Sequence, residues 1–244
     1  MAAVQPPRSV TLAAAAMVAL LPMAGCFAGD DADSKASDRT PSATASTPSL
    51  RPTLTPTPPE QRLPELATMG IAAQFTGSYT LDSLDPKQPD ATVTIHRLAS
   101  SYRVDVQRRG ATSILMTTTD GLVSCQVQAA RRTCLLLGPV GEAPPKLFDP
   151  GLQRLFTTDL AALVRGEGLT VTPAGTLPAA GSLAGATCFQ VAGTGVDPGE
   201  YCLTDAGILR KAQFPSGTLE LTALSGPPGA EVFTPPATPT PLPS

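Results

Sequence analysis

Between residues 75 and 138 the sequence is a succession of short runs in which apolar and polar side chains alternate. In SYRVDVQ (residues 101–107) every second side chain is Tyr or Val, and those between them are Arg, Asp and Gln. When the period is two residues, alternate side chains lie on opposite faces of a strand. Tight turns such as Asp120-Gly121 separate the runs. Because the spacing leaves no room for crossover helices, we expect antiparallel neighbours. The predicted strands are FTGSYTLDS, ATVTIHRLA, SYRVDVQ, SILMTTT, GLVSCQVQ and RTCLLLG.

Two segments with helical spacing interrupt the strands. LPELATMGIAAQF (residues 63–75) predicts a short helix with Pro64 in its first turn, where proline is tolerated. In PGLQRLFTTDLAALVRGEG (residues 150–168) large apolar residues recur at helical spacing, and Gly166 and Gly168 end the pattern. Such a stripe packs on a sheet, or alternatively lines a cavity for lipid. The last third returns to strands, so the order helix, strands, helix, strands predicts an α+β fold.

The N-terminus has the features of a bacterial export signal. Arg8 precedes an apolar run, Val10 to Leu21, which is shorter than the roughly 20 residues that span a bilayer and has the length of a secretory h-region. The run leads into Met23-Ala24-Gly25-Cys26, which resembles a lipobox with Met in place of the usual leucine. The resemblance implies that residues 1–25 are a lipoprotein signal peptide and that Cys26 is the lipid attachment site. The protein would then be anchored at the extracytoplasmic face of the cell membrane. The alternative is an ordinary signal peptide that is cut elsewhere.

Two segments are too poor in large apolar side chains to form a core. Residues 26–62 are rich in Ser, Thr, Pro, Ala and Asp and cannot bury enough surface to offset the entropy of ordering, so we expect a disordered tether. Residues 226–244 are rich in Pro, which predicts an extended, disordered tail. Residues 63–225 are left as one folded domain, long enough for a single hydrophobic core.

The number and spacing of the cysteines predict a stapled hairpin. Of the five Cys residues, setting Cys26 aside leaves an even four, and free thiols are a liability outside the cytoplasm. A two-residue turn at Ala129-Ala130 sets Cys125 opposite Cys134. Counting outward from the turn puts this pair at a non-hydrogen-bonded position, where Cα atoms lie about 4.5 Å apart and a disulfide fits.

Cys188 and Cys202 fit a second hairpin with a longer loop. The register that pairs them also pairs Phe189 with Tyr201 on one face and two polar side chains on the other, as a half-buried strand pair requires. Four cysteines allow three connectivities, and these two hairpin pairings are favoured over the crossed alternatives. A structural zinc site would need closer C-x₂₋₄-C spacing, and a thioredoxin-like redox pair would need C-x-x-C.

No specific catalytic or metal-binding motif is visible in the sequence. It lacks a G-x-S-x-G elbow and a phosphate loop, and its single His, His96, has no nearby Ser or acidic motif. The spacing of Asp82, Asp85 and Asp90 does not match a calcium loop. We therefore expect no enzyme activity, no metal and no cofactor.

The charge distribution argues against a nucleic-acid partner. The net charge is −3 and charged residues make up only 15% of the chain. The basic residues Arg108-Arg109 and Arg131-Arg132 are isolated pairs in the sequence, which is typical of polar hairpin tips. A phosphate-binding surface needs a basic cluster.

Three stretches resemble the bacterial, actinobacterial-type lipoproteins and lipid carriers of the LolA/LppX-like group. They are IHRLASSYRVDV, TTTDGLVSCQVQ and ATCFQV followed by YCLTDAGILRKAQF, and the resemblance covers residues 63–224. It implies a curved antiparallel half-barrel with a few helices packed on its concave face, around an apolar cavity that can hold acyl chains. The family has no fixed polar motif, so the resemblance implies no particular ligand-binding residue. The two hairpin disulfides depart from the outer-membrane carriers and would stiffen the sheet.

Two functional hypotheses follow from these observations. The first is a membrane-anchored extracytoplasmic lipoprotein that binds or carries a hydrophobic lipid ligand. The second is an anchored structural or protein-interaction module whose interior is filled by its own side chains. In both, the membrane is contacted through the lipid anchor, and the sequence names no protein partner.

Overall fold

The computed structural model describes residues 57–84, 89–148 and 151–242. Within these residues, two α-helices and twelve β-strands are joined by short loops and three 3₁₀ turns. In chain order the helices and strands are α1 Pro59–Ala72, β1 Phe75–Ser83, β2 Ala91–Leu98, β3 Ser101–Arg108, β4 Ala111–Thr117, β5 Leu122–Gln128, β6 Arg131–Gly138, α2 Thr158–Arg165, β7 Leu169–Leu177, β8 Ala186–Gly193, β9 Gly199–Thr204, β10 Leu209–Phe214, β11 Gly217–Ser225 and β12 Thr240–Pro241; the 3₁₀ turns are Lys146–Phe148, Arg154–Phe156 and Ala230–Phe233.

All twelve strands belong to one open sheet. Their order across the sheet is β12-β6-β5-β4-β3-β2-β1-β11-β10-β9-β8-β7. Neighbouring strands are antiparallel except for the parallel pair of β12 and β6. The sheet does not close, because β12 and β7 form its two edges. This confirms the expected α+β class with a large antiparallel sheet.

The alternating runs form strands where the sequence predicts them. The predicted runs coincide with β1 to β6 to within two residues at each end. On β2, Val93 and Ile95 are fully buried, while Thr92 and Thr94 are not. Ile95 pairs with Val104 of β3, which is also fully buried. The alternation therefore places one face of the sheet in the core, as a period of two requires.

The edge strand β7 is not predicted by the sequence pattern. Its run contains Pro173, and the register with β8 shifts between Pro173 and Gly175, where Gly175 has a φ of +96°. Proline within a run argues against a central strand because it lacks a backbone N–H, but an edge strand tolerates it. β7 pairs only with β8, so it is such an edge strand.

Both helices are present, with bounds that differ from the sequence expectation. α1 begins at Pro59, so the last residues of the predicted tether form its first turn, where proline fits. Pro64 therefore lies inside the helix, and not in its first turn as the sequence pattern predicts. The second predicted helix is split into the 3₁₀ turn Arg154–Phe156 and α2. Thr157 separates the two with φ −124° and ψ −92°. α2 ends at Gly166, which is left-handed (φ +67°) as the sequence predicts. Among the described residues, no helix has the length and apolarity that a membrane span requires.

The helices cover one face of the sheet. Leu63 and Leu66 of α1 and Leu163 of α2 pack into the main core with side chains of β1, β2, β3 and β8 to β11. α1 crosses close to the β9–β10 turn at Gly70, where an added Cβ would lie only 2.2 Å from the carbonyl oxygen of Gly207. Only a glycine at this position permits the close backbone approach, which holds α1 against the sheet.

A second apolar cluster lies on the opposite face of the sheet, at the β4–β6 end. Its position follows from the register, because Ile114 and Cys125 pair with each other and alternate with residues that face the main core. The Cys125–Cys134 disulfide forms part of this cluster. Its buried members are Ile114, Met116, Val123, Cys125 and Cys134, and Val127, Leu136 and Ala237 pack against them.

The C-terminal segment does not form the disordered tail that its composition predicts. Residues 226–242 follow the outer face of the sheet, and β12 adds a parallel strand to the edge of β6. Thr240 Oγ1 donates to the carbonyl of Cys134 at 3.3 Å, and Ala237 packs on the second cluster. The expectation was wrong because proline excludes only central strands, whereas here an edge and an apolar cluster accept a Pro-rich strand.

Candidate functional site

The most unusual chemistry of the described chain lies in the helix-covered interior, where polar groups point into an apolar space. Along β2 the inward side chains are Ala91, Val93, Ile95 and then Arg97. Arg97 pairs with Phe75 at the start of β1. Its position in the alternation therefore directs an arginine into the core.

Arg97 is only 7% exposed. Its Nη2 donates a hydrogen bond to the carbonyl oxygen of Phe156, in the 3₁₀ turn before α2. Its guanidinium carbon lies 5.9 Å from the centroid of the Tyr102 ring, within the range of a cation–π contact. Burial disfavours the charged form and lowers the pKa of Arg97 to about 10. It therefore still carries its charge at neutral pH.

Tyr79, on β1, faces the same interior and is fully buried. Its ring centroid lies 5.0 Å from that of Phe156 in a tilted arrangement. Its hydroxyl has no hydrogen-bond partner among the described residues. Burial raises the pKa of Tyr79 well above its usual value, although the charges of Arg97 and Arg210 act in the opposite direction. The phenol is therefore neutral and can donate its proton.

The two groups line a cavity of about 20 Å³ between the sheet and the helices. This is the space of about one water molecule, whereas ligand pockets commonly measure about 300–1,000 Å³. The apolar cavity for acyl chains implied by the resemblance is therefore closed in this structure. The cavity is lined by Gly70, Phe75, Tyr79, Arg97, Leu155, Phe156, Leu160, Leu163, Tyr201, Leu203, Gly207, Ile208 and Leu209.

A polar network links the first turn of α2 to the β8–β9 loop beside this cavity, because Nη2 of Arg154 lies 3.0 Å from Asp159 and 4.0 Å from Oδ1 of Asp197. Asp159, in the first turn of α2, has no exposed surface, and its Oδ1 lies 3.0 Å from Nη2 of Arg154. Its Oδ2 has no partner among the residues the structure describes. Burial raises the pKa of Asp159, and the charge of Arg154 opposes this. Tyr201, which also lines the cavity, donates its hydroxyl proton to the carbonyl of Asp197 at 2.7 Å.

A larger opening lies on the surface, between α2 and the loop after β6. This groove has a volume of about 440 Å³ and is lined by residues 140–144 of the loop, by Tyr102 and by one side of α2. The loop also carries two of the exposed large apolar side chains, Val140 at 54% and Leu147 at 82% exposure. Exposed apolar side chains beside a groove are typical of interaction surfaces when they form a patch.

The predicted disulfides are both present. Cys125 is bonded to Cys134 and Cys188 to Cys202, and the registers around them match the predicted pairings, including Phe189 with Tyr201. The carboxylate of Glu200 lies near the sulfurs of Cys188 and Cys202, but the disulfide removes both thiolates as metal ligands. The predicted lipid attachment site, Cys26, lies outside the described residues.

The other residues singled out in the sequence lie apart from the interior. His96 is half-buried on the outer face, with Nδ1 3.0 Å from Thr76 Oγ1, and burial lowers its pKa. Asp90 accepts a hydrogen bond from the backbone N–H of Ser83 at 3.1 Å, and Asp85 lies outside the described residues. The register places Arg108 and Arg131 in one row across the sheet, three strands apart, because Arg108 pairs with Ala111, Ala111 with Gln128, and Gln128 with Arg131.

No sequence motif identifies the polar residues of the interior. Neither Arg97 nor Tyr79 belongs to a recognisable catalytic or binding pattern. The available signal was the alternation on β2, in which the position after Ile95 on the inward face is arginine. An arginine at an inward position indicates a buried charge, and buried charges mark candidate sites.

Comparisons with known proteins do not assign the chain to a family. No family model matches it, and no curated protein matches it. Among solved structures, the crystal structure of MucB is similar over 73% of this chain, with 17% sequence identity and a TM-score of 0.42. The chain spans 63% of the length of that structure. At this distance the likeness carries no argument about function.

Proposed function

We propose that this protein is a non-catalytic, membrane-anchored interaction module of the LolA/LppX-like type on the extracytoplasmic side. The observation that carries the proposal is the closed interior. A sheet-and-helix layer of this kind can hold a ligand only if space is left between its layers. Here about 20 Å³ is left, and the remaining volume is filled by side chains such as Tyr79, Phe156 and Leu163.

The export signal and the disulfides support the location. The lipobox-like Met23-Ala24-Gly25-Cys26 follows the apolar run directly, and two structural disulfides favour an oxidising compartment. Changing Cys26 to Ala should release the protein from the membrane fraction. If the C26A protein stays with membranes to the same extent as wild type, lipid anchoring at Cys26 is excluded.

The groove beside α2 supports the interaction role. Val140, which lines the groove, and Leu147, farther along the same loop, expose apolar surface that contributes little to the fold. A protein partner that inserts an apolar side chain into the groove would bury Val140. Substitution of both by Ser should leave the stability of the free protein unchanged, and loss of stability would show that they serve the fold.

The lipid carrier is the second candidate, and one observation favours it. The interior contains an unpartnered Tyr79 hydroxyl and a buried Arg97, which are costly in a core that only fills space. Movement of the short helix α2 could open this interior to an acyl chain.

Native mass spectrometry separates the two candidates. The full protein is purified from membranes, cut in the tether after purification, and weighed before and after organic extraction. A bare polypeptide mass supports the interaction module. A stoichiometric, extractable acyl lipid would overturn it in favour of the carrier, since the covalent anchor stays with the Cys26 fragment.

A further inference from the structure

Two of the polar side chains that line the interior cavity, Tyr79 and Arg97, can donate hydrogen bonds. The Tyr79 hydroxyl has no acceptor among the described residues, and the Arg97 guanidinium carries five N–H donors and no acceptor. One of these donors is used by the Phe156 carbonyl. Tyr79 and Arg97 line the same cavity, so the side chains around it supply hydrogen-bond donors that an acceptor could satisfy.

The charged residues around the cavity also favour an acceptor, and specifically an anion. Neither Arg97 nor the nearby Arg210, which is 5% exposed, is ion-paired with any carboxylate among residues 57–84, 89–148 and 151–242. Arg210 instead donates to the carbonyls of Ala184 and Leu221. Asp159, the one buried acid among the residues that the structure describes, is paired with Arg154. Uncompensated positive charge in a low-dielectric interior is costly unless an anion neutralises it.

We propose that this cavity is a binding site for one monovalent anion, held by the Tyr79 hydroxyl and the Arg97 guanidinium. A halide matches the volume of about 20 Å³ and accepts both donors. A water molecule is a poorer occupant, because it must also place two protons against walls that include Phe75, Leu160 and Leu203. The carboxylate end of an acyl chain has the same chemistry as the halide, but it needs α2 to move.

The test uses the full-length protein in detergent, with sodium bromide replacing sodium gluconate at constant ionic strength. Gluconate is too bulky for the closed cavity, so the difference between the salts reports the site. We expect a saturable rise in Tm with bromide, and an anomalous bromide peak between Tyr79 and Arg97 in crystals. Equal Tm values in both salts, or a water molecule with no anomalous signal, would overturn the halide site.

Two tyrosines on the same cavity supply a matched pair of variants. Tyr79→Phe removes only the unpartnered hydroxyl, so the fold is kept and the bromide affinity should fall about tenfold, as for loss of one hydrogen bond to a charged group. Tyr201→Phe removes a hydroxyl that is already used by the Asp197 carbonyl, so bromide affinity should stay as in wild type. Equal effects of the two variants would contradict the assignment.

A second arm, with laurate as probe, distinguishes the two sources of the anion. If laurate binds with dependence on Tyr79 and bromide does not, the site holds the carboxylate of an acyl chain, which supports the site and also favours the lipid carrier. If bromide alone binds, the site and the interaction module both stand. If neither binds, the anion site is wrong, while the interaction module is unaffected.

Discussion

Arg103 joins the outer face of the sheet to the C-terminal segment, because its Nη1 donates a hydrogen bond of 2.7 Å to the carbonyl oxygen of Val232. The same guanidinium is held by Asp105, which accepts from Nε at 2.7 Å and from Nη2 at 2.8 Å. Hydrogen bonds that involve a charged group are the stronger ones. The segment after β11 is thus fastened near its start by Arg103 and near its end by the pairing of β12 with β6.

This contact predicts that Arg103→Lys will loosen the segment. Lysine keeps the charge beside Asp105 but cannot make the bidentate contact and also reach Val232. We expect a loss of about 1–2 kcal/mol in the free energy of unfolding, with faster amide hydrogen exchange across residues 230–242. Arg132→Lys is the control, since Arg132 is exposed on β6. Unchanged exchange in the Arg103 variant would show that other contacts hold the segment.

Removal of each disulfide should cost similar stability. The bonds close short loops, with sequence separations of 9 for Cys125–Cys134 and 14 for Cys188–Cys202. In the loop-entropy model such loops contribute roughly 2–3 kcal/mol each, mainly by restricting the unfolded chain. Double Cys→Ala variants of each pair, unfolded in urea, give the two values. A loss far above this range in one pair would indicate that its bond also holds native packing.

The sequence predicted the hairpins well because local and long-range constraints agree there. In the hairpin from Val123 to Leu136, the turn at Ala129-Ala130, the alternation and the disulfide all require one register, and the structure has that register up to the shift between Leu122 and Val123. For β7 the constraints do not agree, because Pro173 argues against a strand unless the position of β7 at the sheet edge is already known. The position of a strand at the edge depends on the topology of the whole sheet, and the residues of that strand alone do not reveal it.

The candidate site was harder to predict than the fold. Tyr79 and Arg97 lie on neighbouring strands, but their shared cavity exists only because the Phe156 turn and α2 fold over them. The order of the C-terminal segment is hard to predict for a related reason. Its composition cannot form a core of its own, but it can cover an apolar cluster and an edge that the rest of the chain supplies.

Gly70→Ala should displace α1. The added methyl group would lie 2.2 Å from the carbonyl oxygen of Gly207, and backbone atoms cannot yield as a flexible side chain can. Overpacking of this kind costs typically 1–3 kcal/mol, and Tm should fall accordingly. Gly226→Ala is the matched control, because an added Cβ there meets nothing within 4 Å. A wild-type Tm for Gly70→Ala would mean that α1 does not approach the β9–β10 turn this closely.

Asp159 predicts a pH dependence of stability with a defined sign. Burial raises its pKa in the folded protein above the value of about 4 expected in the unfolded chain. In the window between these two values the folded state binds more protons, so the free energy of unfolding falls as the pH rises through it. Asp159→Asn removes this titration and keeps the size of the side chain. We therefore expect the stability of the variant, relative to wild type, to increase with pH across this window and to be constant above it. Urea unfolding of both proteins at several pH values measures the difference, and a difference that decreases with pH would mean that the charge pair with Arg154 outweighs burial.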